Sequence, residues 1–594
     1  MDILRKLFLS KDALKKFHLL GEERFVCGES INFDKVLQLI GDIKSVDSNV
    51  KIGKDVFTDV ELLTSYNGDN DTVFSSIDNT ELVGSKVFLK TILINPIDNI
   101  RVLKKRQNVV KFVHQNIKTN TEEFKQLKEL ENDVLWLFSQ DDEELNMLYD
   151  MVYYTNVFLK PLNKVDVALT SYNVYRIVLS PMIGLFTPIF YFVIPYIIVR
   201  IKLGVNITFF NYVQLMFQGI FSGGAIGNIF PKLTYLSTAF SLLFYFQGLF
   251  NSLEVAKACY KISKLITDRM HNVSKFLSIS SKLLQKNWSP DISNFFSDIQ
   301  GIPEISKHTN ILQPFGLFSN FGMSLNEFRS FDKQKTLLGL KQIYILDSIN
   351  SICRLIDSCG WSYTIYKKTK KPLLNVNGVW HPSLKGNIVK NILLLENKSL
   401  VLTGPNAGGK STLIKSLLLS IIFSQTLGIV NADKLIMSPF TYINSQINIP
   451  DCKGKESLFE AEMNRSKENL DFLSEFNDGL SIIFMDEIFN STNPIEGIAG
   501  AYAIAKNLSN YQSNIIVFTT HYLYLTKLAK EFPDRFINMK MNVKNIGNGI
   551  QYPYTISKGV SRQYIALELL KQNGFNKSII EDALLIKQNL LRQK

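Results

Sequence analysis

The chain has 594 residues, enough for roughly three or four domains with apolar cores of their own. Its formal net charge of +12 permits contact with nucleic acid or with an anionic membrane face, without choosing between them. Five cysteines, odd in number and with no C-x-x-C pair, exclude a disulfide framework and a cysteine-based zinc site, and they indicate a reducing compartment.

The first 170 residues are predicted to form two segments. Residues 1–70 are a small mixed N-terminal region, and its start, Met1 to Leu20, is charged throughout and does not resemble a signal peptide. We therefore expect a protein that is not secreted. Residues 71–170 are predicted to be helical, because apolar residues recur at helical spacing from Leu130 to Leu159. The basic stretch from Arg101 to Lys118 indicates a solvated helix surface or, alternatively, a nucleic-acid contact.

Residues 171–255 contain two long uncharged segments. Ile177 to Val199 runs 23 residues without a charge, and Leu233 to Leu253 runs 21. At about 1.5 Å per residue, each is long enough to cross a hydrocarbon core of about 30 Å. Prolines recur at every seventh position of the first segment, which membrane helices accept more often than soluble ones. We predict a transmembrane hairpin. The alternatives are a buried helical core or a protein interface.

The charges that flank the two segments bear on the topology of this hairpin. An even number of crossings keeps both termini on the cytosolic side, as a single helical region requires. The positive-inside rule conflicts with that topology, because Arg200, Lys202 and Lys232 flank the loop that the hairpin places on the far side. A shallow or re-entrant hairpin would remove the conflict.

The remainder of the chain changes from helical to mixed patterns. Residues 256–365 are predicted to return as long amphipathic helices, among them Val255 to Leu284 and Lys335 to Leu355. Residues 366–575 alternate short apolar runs with helical patterns, which indicates an α/β domain. Residues 576–594 are predicted to form a helical tail.

The α/β segment contains a P-loop between an apolar run, residues 399–403, and a helical run that begins at Leu413. Its pattern G-x-x-x-x-G-K-S/T is fitted by Gly404, Pro405, Asn406, Ala407, Gly408, Gly409, Lys410, Ser411 and Thr412. Backbone N–H groups of such a loop bind phosphate oxygens. Lys410 would bridge the β- and γ-phosphates, and the Ser411 hydroxyl would bind Mg²⁺. ATP and Mg²⁺ are therefore the predicted ligands.

Two further strands are predicted to end in polar residues. The apolar run 480–485 ends in Asp486 and Glu487, a Walker B pattern in which Asp486 holds the Mg²⁺ shell and Glu487 is the general base. The run 515–520 ends in His521, which we predict to contact or sense the γ-phosphate. The alternative is a histidine at a strand end with no catalytic role.

Together these residues resemble the MutS family of DNA-repair ATPases. The resemblance includes Asn406 after Pro405, the T-H-Y/F step at residues 520–522, and residues 457–463, which are similar to the family's S-x-F-x-x-E-M segment. Upstream, residues 380–382 and 389–391 resemble its R-H-P and V-x-N elements, and downstream residues 559–561 resemble its G-x-S/A segment. After Asp486 and Glu487 the chain departs from the family's G-R-G, with Phe489, Asn490 and Ser491 in those places.

The resemblance implies an ABC/MutS-like P-loop ATPase domain preceded by a mostly α-helical core or lever region. It implies a homodimer formed through the ATPase domain, in which Ser457, Phe459 and Glu462 reach toward the nucleotide of the partner subunit. A weaker similarity at residues 77–86 marks the start of the lever. The roughly 70 residues before it are too few for the family's mismatch-reading domains, and no early Phe-x-Glu is present. We therefore expect no mismatch sensor.

Two classes of function follow from these predictions. The first is a MutS-like ATPase whose nucleotide-driven dimer closure is coupled to duplex or structured DNA, in a role related to mismatch repair or recombination. The second is a membrane-anchored ATPase or scaffold that does not act on DNA. In both, we expect the protein to be membrane-associated, with its ATPase domain facing the cytosol.

Overall fold

A computed structural model gives the fold of the chain. It describes residues 36, 39–41, 48–65, 71–117, 121–138, 150–222, 231–289, 291–292, 295–296, 318, 320–384, 386, 388–447, 458–475, 479–546, 549–561 and 574–592.

Helices make up most of the described chain before residue 360. The α-helices are α1 Val56–Asp59, α2 Val73–Ile77, α3 Val83–Leu93, α4 Ile100–Ile117, α5 Thr121–Trp136, α6 Asp166–Val174, α7 Ser180–Ile197, α8 Phe209–Ser222, α9 Pro231–Asn287, α10 Phe321–Ser330, α11 Lys333–Cys359, α12 Lys410–Thr426, α13 Leu458–Glu475, α14 Pro494–Ser509, α15 Leu528–Glu531 and α16 Lys577–Arg592. Short 3₁₀-helices are Lys160–Lys164, Asn406–Gly408 and Leu523–Lys527, and π-helical turns are Tyr175–Leu179 and Ile198–Lys202.

Strands lie almost entirely after residue 360. They are β1 Lys51–Ile52, β2 Ser362–Tyr363, β3 Ile365–Tyr366, β4 Leu373–Val379, β5 Asn391–Glu396, β6 Ser399–Thr403, β7 Ile429–Val430, β8 Lys434–Met437, β9 Tyr442–Gln446, β10 Ser481–Asp486, β11 Asn514–Thr520, β12 Phe536–Met541, β13 Lys544–Ile546, β14 Gly549–Gln551 and β15 Ile556–Lys558.

The chain divides into two compact units. The first comprises Met1–Leu39, Lys125–Lys282 and Glu304–Gly339, and the second comprises Ile40–Phe124, Leu283–Pro303 and Leu340–Lys594, as far as these ranges are described. The second unit therefore unites the α/β segment with helices from the predicted lever.

A seven-stranded sheet forms the centre of the second unit. Its order is β1-β9-β10-β11-β6-β12-β15, parallel except for the last strand. The residues of β6 and β11 are all buried, as expected of central parallel strands covered on both faces. Fourteen of the 17 residues of α12 are buried, so this helix is surrounded by protein on nearly every side. A smaller sheet has the order β3-β8-β4-β5.

Residues near the start of the chain complete the large sheet. β1 pairs in parallel with β9, and Lys51 lies opposite Tyr442. The Asp59 side chain, fully buried, accepts hydrogen bonds from the Ser445 hydroxyl at 2.7 Å and the Ile447 N–H at 2.9 Å. Further ion pairs of 2.9 Å join Lys415 to Glu61 and Arg465 to Asp55. The segment around β1 is thus part of the α/β unit.

Lever helices in the second unit are held by buried polar contacts. Asp347 on α11 accepts hydrogen bonds of 3.0 Å from the N–H groups of Glu81 and Leu82, which satisfies donors at the start of α3. Arg106 on α4, fully buried, donates to the Thr426 carbonyl at 2.8 Å. This contact places a cation at the C-terminus of α12, where the helix dipole favours one.

The first unit is a helical assembly built on close contacts. α6 crosses α10 at Gly322, where an added Cβ would lie 1.8 Å from the Asp166 carbonyl, so only glycine fits. Arg269 on α9 pairs with Asp133 at 3.1 Å and lies over the Trp136 ring. Trp136 in turn stacks on Phe328. These contacts tie three helices into one core.

The two segments predicted to form a transmembrane hairpin are helical. The first coincides mainly with α7, whose 18 residues extend about 27 Å, and the second lies in the N-terminal part of α9. Within the described residues, no helix is both long enough and apolar enough to cross a membrane. The structure therefore does not support the predicted hairpin.

Candidate active site

The P-loop connects the central strand β6 to the buried helix α12. Asn406–Gly408 forms a 3₁₀ turn, and Gly409 precedes α12 with φ of +85°, a conformation that favours glycine. A Cβ on Gly404 would lie 2.8 Å from that of Met541, so close packing also requires glycine there. The predicted loop thus has the strand–loop–helix setting that directs N–H groups at an anion.

Lys410 turns back over the loop that precedes it. Its side chain is 2% exposed, and Nζ donates to the carbonyls of Gly404 at 3.1 Å and Pro405 at 3.2 Å and to Asn406 Oδ1 at 3.2 Å. Nζ also pairs with Glu487 Oε1 at 2.8 Å. The lysine is therefore held between the glycine loop and the predicted general base.

The two predicted acids end strand β10. The Thr519 hydroxyl, on the neighbouring strand β11, donates to Asp486 Oδ1. Glu487 has φ of +50°, and its N–H is 3.2 Å from the Thr519 carbonyl. A left-handed non-glycine residue carries strain of about 1–3 kcal/mol, which commonly occurs at active sites. With this φ, the backbone at Glu487 leaves the extended conformation of β10, which ends at Asp486.

Three groups surround the Glu487 carboxylate. His521 Nδ1 lies 3.6 Å from Oε2, Asn490 Nδ2 donates to Oε2 at 2.8 Å, and Lys410 contacts Oε1. The His521 side chain, and then Lys410, lower the pKa of Glu487 to about 2 against the opposing effect of burial. The carboxylate is therefore ionised at neutral pH in this arrangement.

The sheet order explains why these groups meet. In β10-β11-β6 the strands are parallel, so the acids, His521 and the P-loop follow their carboxyl ends at one edge. Ligands of open α/β sheets bind at that edge. The predicted Lys410, Glu487 and His521 are brought into one cluster, with Asp486 beside it.

A comparison with known families agrees with this geometry. Residues 400–591 match MutS domain V. The match runs from β6 into α16 and includes the P-loop, both acids and His521. MutS domain V is an ATPase domain of α/β fold, and the match supports the MutS family and a MutS-like ATPase related to DNA mismatch repair.

ATPase domains of the MutS family typically use Mg²⁺, a cation that binds oxygen ligands. Ser411 lies in the first turn of α12 and is exposed, and Asp486 is partly buried at the end of β10. Mg²⁺ is usually bound by one or two carboxylates together with substrate phosphates and water. A hydroxyl and a carboxylate fit that preference. Across the described residues, no group of three or more His, Cys, Asp or Glu side chains forms a metal site by itself.

The segment predicted to act in trans lies at the start of α13, which we call the signature helix. Ser457 falls outside the described residues. Phe459 is partly exposed, and its ring centroid lies 5.5 Å from that of Phe489. Glu462 is 6% exposed, and its Oε2 accepts a hydrogen bond of 2.9 Å from Ser491. Both described residues thus contact the loop that follows Walker B in their own chain.

Several residues of the site were not predicted from the sequence. Thr519 orients Asp486, and Asn490 contacts Glu487. A Cβ on Gly409 would lie 3.0 Å from the Tyr554 ring, so this ring lies against the P-loop. Asn391, in the V-x-N element, donates to the Tyr554 carbonyl at 3.0 Å and accepts from the Ile556 N–H at 2.9 Å. Asn391, which precedes the matched range, therefore helps to place Tyr554 against the P-loop.

Proposed function

We propose that the chain is a MutS-like ATPase that binds and hydrolyses ATP with Mg²⁺. The observation that carries the proposal is the cluster of Lys410, Glu487 and His521 at the carboxyl ends of β6, β10 and β11. Each has a side-chain chemistry that phosphoryl transfer to water requires, and all three lie beside a glycine loop with the conformation of a phosphate site.

Nucleotide binding would exchange the partners of Lys410. The N–H groups of the loop and of the α12 N-terminus bind phosphate oxygens, which compete with Glu487 for the lysine ammonium. Once Lys410 contacts the β- and γ-phosphates, Glu487 loses the contact that contributes to its low pKa and becomes a better proton acceptor. It then orients and deprotonates the attacking water, and His521 contacts the γ-phosphate.

Mg²⁺, when bound, would neutralise charge that develops on the phosphates. Ser411 and Asp486 would hold it, and the hydrogen bond from Thr519 keeps one Asp486 oxygen in a fixed direction. The second oxygen of that carboxylate is then oriented for the metal shell.

We further propose that ATP drives closure of a homodimer and that closure is coupled to DNA. The support is the similarity of residues 457–463 to a segment that completes a site in trans, together with the match to MutS domain V. A site completed by a partner subunit makes turnover depend on closure. We propose that the DNA contact is mainly electrostatic and weakens steeply with salt.

Turnover measurements test the catalytic part of the proposal. Lys410→Ala should abolish binding or hydrolysis, because the phosphate charge loses its counter-charge. Glu487→Gln should retain nucleotide binding and lower kcat by about 10²–10⁴-fold, the usual contribution of a general base. Glu496→Gln, an exposed carboxylate at the start of α14, is the matched control and should leave kcat unchanged. Full activity of both site variants would contradict the assignment.

A second candidate, a membrane-associated ATPase that does not act on DNA, is favoured by the surface of the first unit. Large apolar side chains there are highly exposed, among them Ile201 at 77%, Phe210 at 78% and Phe244 at 68%. Exposed apolar surface of this extent commonly marks a protein or membrane contact. We propose that this surface lies on a membrane with the ATPase domain in the cytosol.

One experiment separates the two candidates. ATP turnover of the full chain is measured with duplex DNA, with liposomes and with neither. Stimulation by DNA alone supports the first candidate, and stimulation by liposomes alone supports the second. Co-sedimentation with anionic liposomes tests the membrane contact independently of turnover. Ile201→Ser with Phe210→Ser should reduce sedimentation, and no binding by the unaltered chain would remove the membrane proposal.

A further inference from the structure

The loop that follows Walker B, residues 486–493, is joined to the signature helix by two side-chain contacts. Ser491 Oγ donates to Glu462 Oε2 at 2.9 Å, and the Phe489 ring lies 5.5 Å from the Phe459 ring. Both loop residues stand where the MutS pattern has glycine, which offers neither a hydroxyl nor a ring. This connection therefore depends on residues in which the chain departs from the pattern.

Glu462 is fixed from the helix side. Its backbone carbonyl accepts a hydrogen bond of 3.0 Å from Gln446 Nε2, and Gln446 Oε1 accepts one of 3.1 Å from Ser466. Burial raises the pKa of the Glu462 carboxyl, and hydrogen bonds from the Ser491 side chain and the Phe489 backbone oppose that shift. The backbone of Glu462 is thus tied to β9, and its buried carboxyl gives the loop a fixed point of attachment.

The other end of the loop carries the predicted general base. Glu487 and Phe489 both have left-handed backbones, with φ of +50° and +62°, and Asn490 Nδ2 donates to Glu487 Oε2 at 2.8 Å. Asn490 and Ser491 are adjacent. A displacement of Ser491 therefore moves the amide that holds the Glu487 carboxylate.

We propose that Glu462 is a positioning residue, which holds the Walker B loop through Ser491 and so orients the general base Glu487 in its own subunit. This inference rests on the ATPase activity proposed above. Water activation then depends on the contact between the signature helix and the Walker B loop.

Kinetics of four variants test the proposal. Glu462→Ala removes the acceptor, Glu462→Gln keeps an acceptor oxygen without the charge, Ser491→Ala removes the donor, and the double variant combines Glu462→Ala with Ser491→Ala. Glu468→Ala is the matched control, because Glu468 is exposed on the same helix. For each, kcat and KM for ATP are measured, with the Kd of a fluorescent ATP analogue and the Tm.

A positioning role predicts a specific pattern. Glu462→Ala should lower kcat about tenfold with a Kd within about twofold of the unaltered chain, since one misplaced catalytic group affects the chemical step more than binding. Glu462→Gln should recover most of that loss, and Ser491→Ala should lower kcat about threefold. The double variant should be no slower than Glu462→Ala, because both changes break one contact. Glu468→Ala should behave as the unaltered chain.

Other results would overturn the inference. Unchanged kcat in Glu462→Ala, or additive losses in the double variant, would show that the contact does not orient Glu487. Equal losses of kcat and nucleotide affinity in Glu462→Ala and Glu462→Gln would show a general structural role. If Glu462→Ala does not fold, unchanged kcat in Ser491→Ala decides against the proposal. Absence of turnover in the unaltered chain would instead refute the ATPase assignment itself, and the inference with it.

Discussion

Phe489 occupies a backbone conformation that favours glycine, so we predict that its replacement by glycine destabilises the protein less than its replacement by alanine. Its φ is +62° and its side chain is 4% exposed. Removal of a buried phenylalanine ring costs about 3–5 kcal/mol when the replacement is alanine. The left-handed conformation costs about 1–2 kcal/mol for a residue with a Cβ, and glycine escapes that cost. Phe489→Gly should therefore be more stable than Phe489→Ala by about 1 kcal/mol.

The ring also explains a glycine on α14. A Cβ on Gly500 would lie 3.2 Å from the Phe489 ring, closer than ordinary contacts. Gly500→Ala should therefore destabilise the unaltered chain. In the Phe489→Gly background the space is free, and the helix propensity of alanine, about 1 kcal/mol better than glycine, should make the same change stabilising. The two positions should be strongly non-additive.

Thermal unfolding by differential scanning fluorimetry measures these differences. In a unit of this size, with an unfolding entropy of about 2.1 cal/mol/K per residue, about 1 kcal/mol shifts Tm by roughly 1–2 °C. Ala503→Gly, at an exposed position of the same helix, is the control in which glycine must be the less stable residue. If Phe489→Ala proves as stable as Phe489→Gly, or if Gly500→Ala has the same effect in both backgrounds, the backbone argument is wrong.

Three further predictions concern assembly, DNA and pH. Mixing Lys410→Ala with Ser457→Ala protein should restore about one working site per mixed dimer, measured as ATP turnover. Full turnover of Ser457→Ala alone would contradict the idea that Ser457 of one subunit completes the site of its partner. Fluorescence anisotropy should show equal affinity for matched and mismatched duplex, falling steeply with salt; a mismatch preference at physiological salt would contradict this. Burial, and then the charge of Lys415, lower the pKa of His381 to about 4 from 6.5, so folding disfavours its protonated form. Stability should therefore fall by at most about 3 kcal/mol as pH drops from 6.5 to 4. His381→Gln should flatten this dependence of Tm on pH, and an unchanged slope would exclude His381 as its source.

The cluster of Lys410, Glu487 and His521 could be predicted because each of its parts follows from a short local stretch of the sequence. Gly404 to Thr412, Asp486–Glu487 and His521 each follow a short apolar run, and parallel strands bring their carboxyl ends to one edge. The order of the strands, by contrast, depends on distant pairings. Nothing local to Lys51 indicates that it pairs beside Tyr442.

The residues around Walker B could not be predicted for a similar reason. Phe489, Asn490 and Ser491 were recognised only as departures from a pattern. Their contacts with Phe459 and Glu462 depend on where the signature helix packs. The proposed role of Ser457, which the structure does not describe, stays a prediction.

The transmembrane hairpin predicted from the two uncharged segments is not supported, since no helix among the described residues is long and apolar enough to cross a membrane. Ile177 to Val199 is uncharged over 23 residues, yet the α-helix within it has 18, with π-helical turns on both sides. The second segment shares a 57-residue helix with a polar continuation, which its own composition does not show.

The pairing of β1 with β9 has a consequence for synthesis of the chain. Lys51 leaves the ribosome almost 400 residues before its neighbour Tyr442, so the large sheet cannot gain its edge strand until most of the chain exists. Pairings between such distant residues form slowly, because a long loop must close first. During that interval Asp59 and the apolar side chains around it remain without the α/β unit that buries them. Nascent chains that stall before β9 would therefore expose this early segment, and they should depend on chaperones more than chains released after β10.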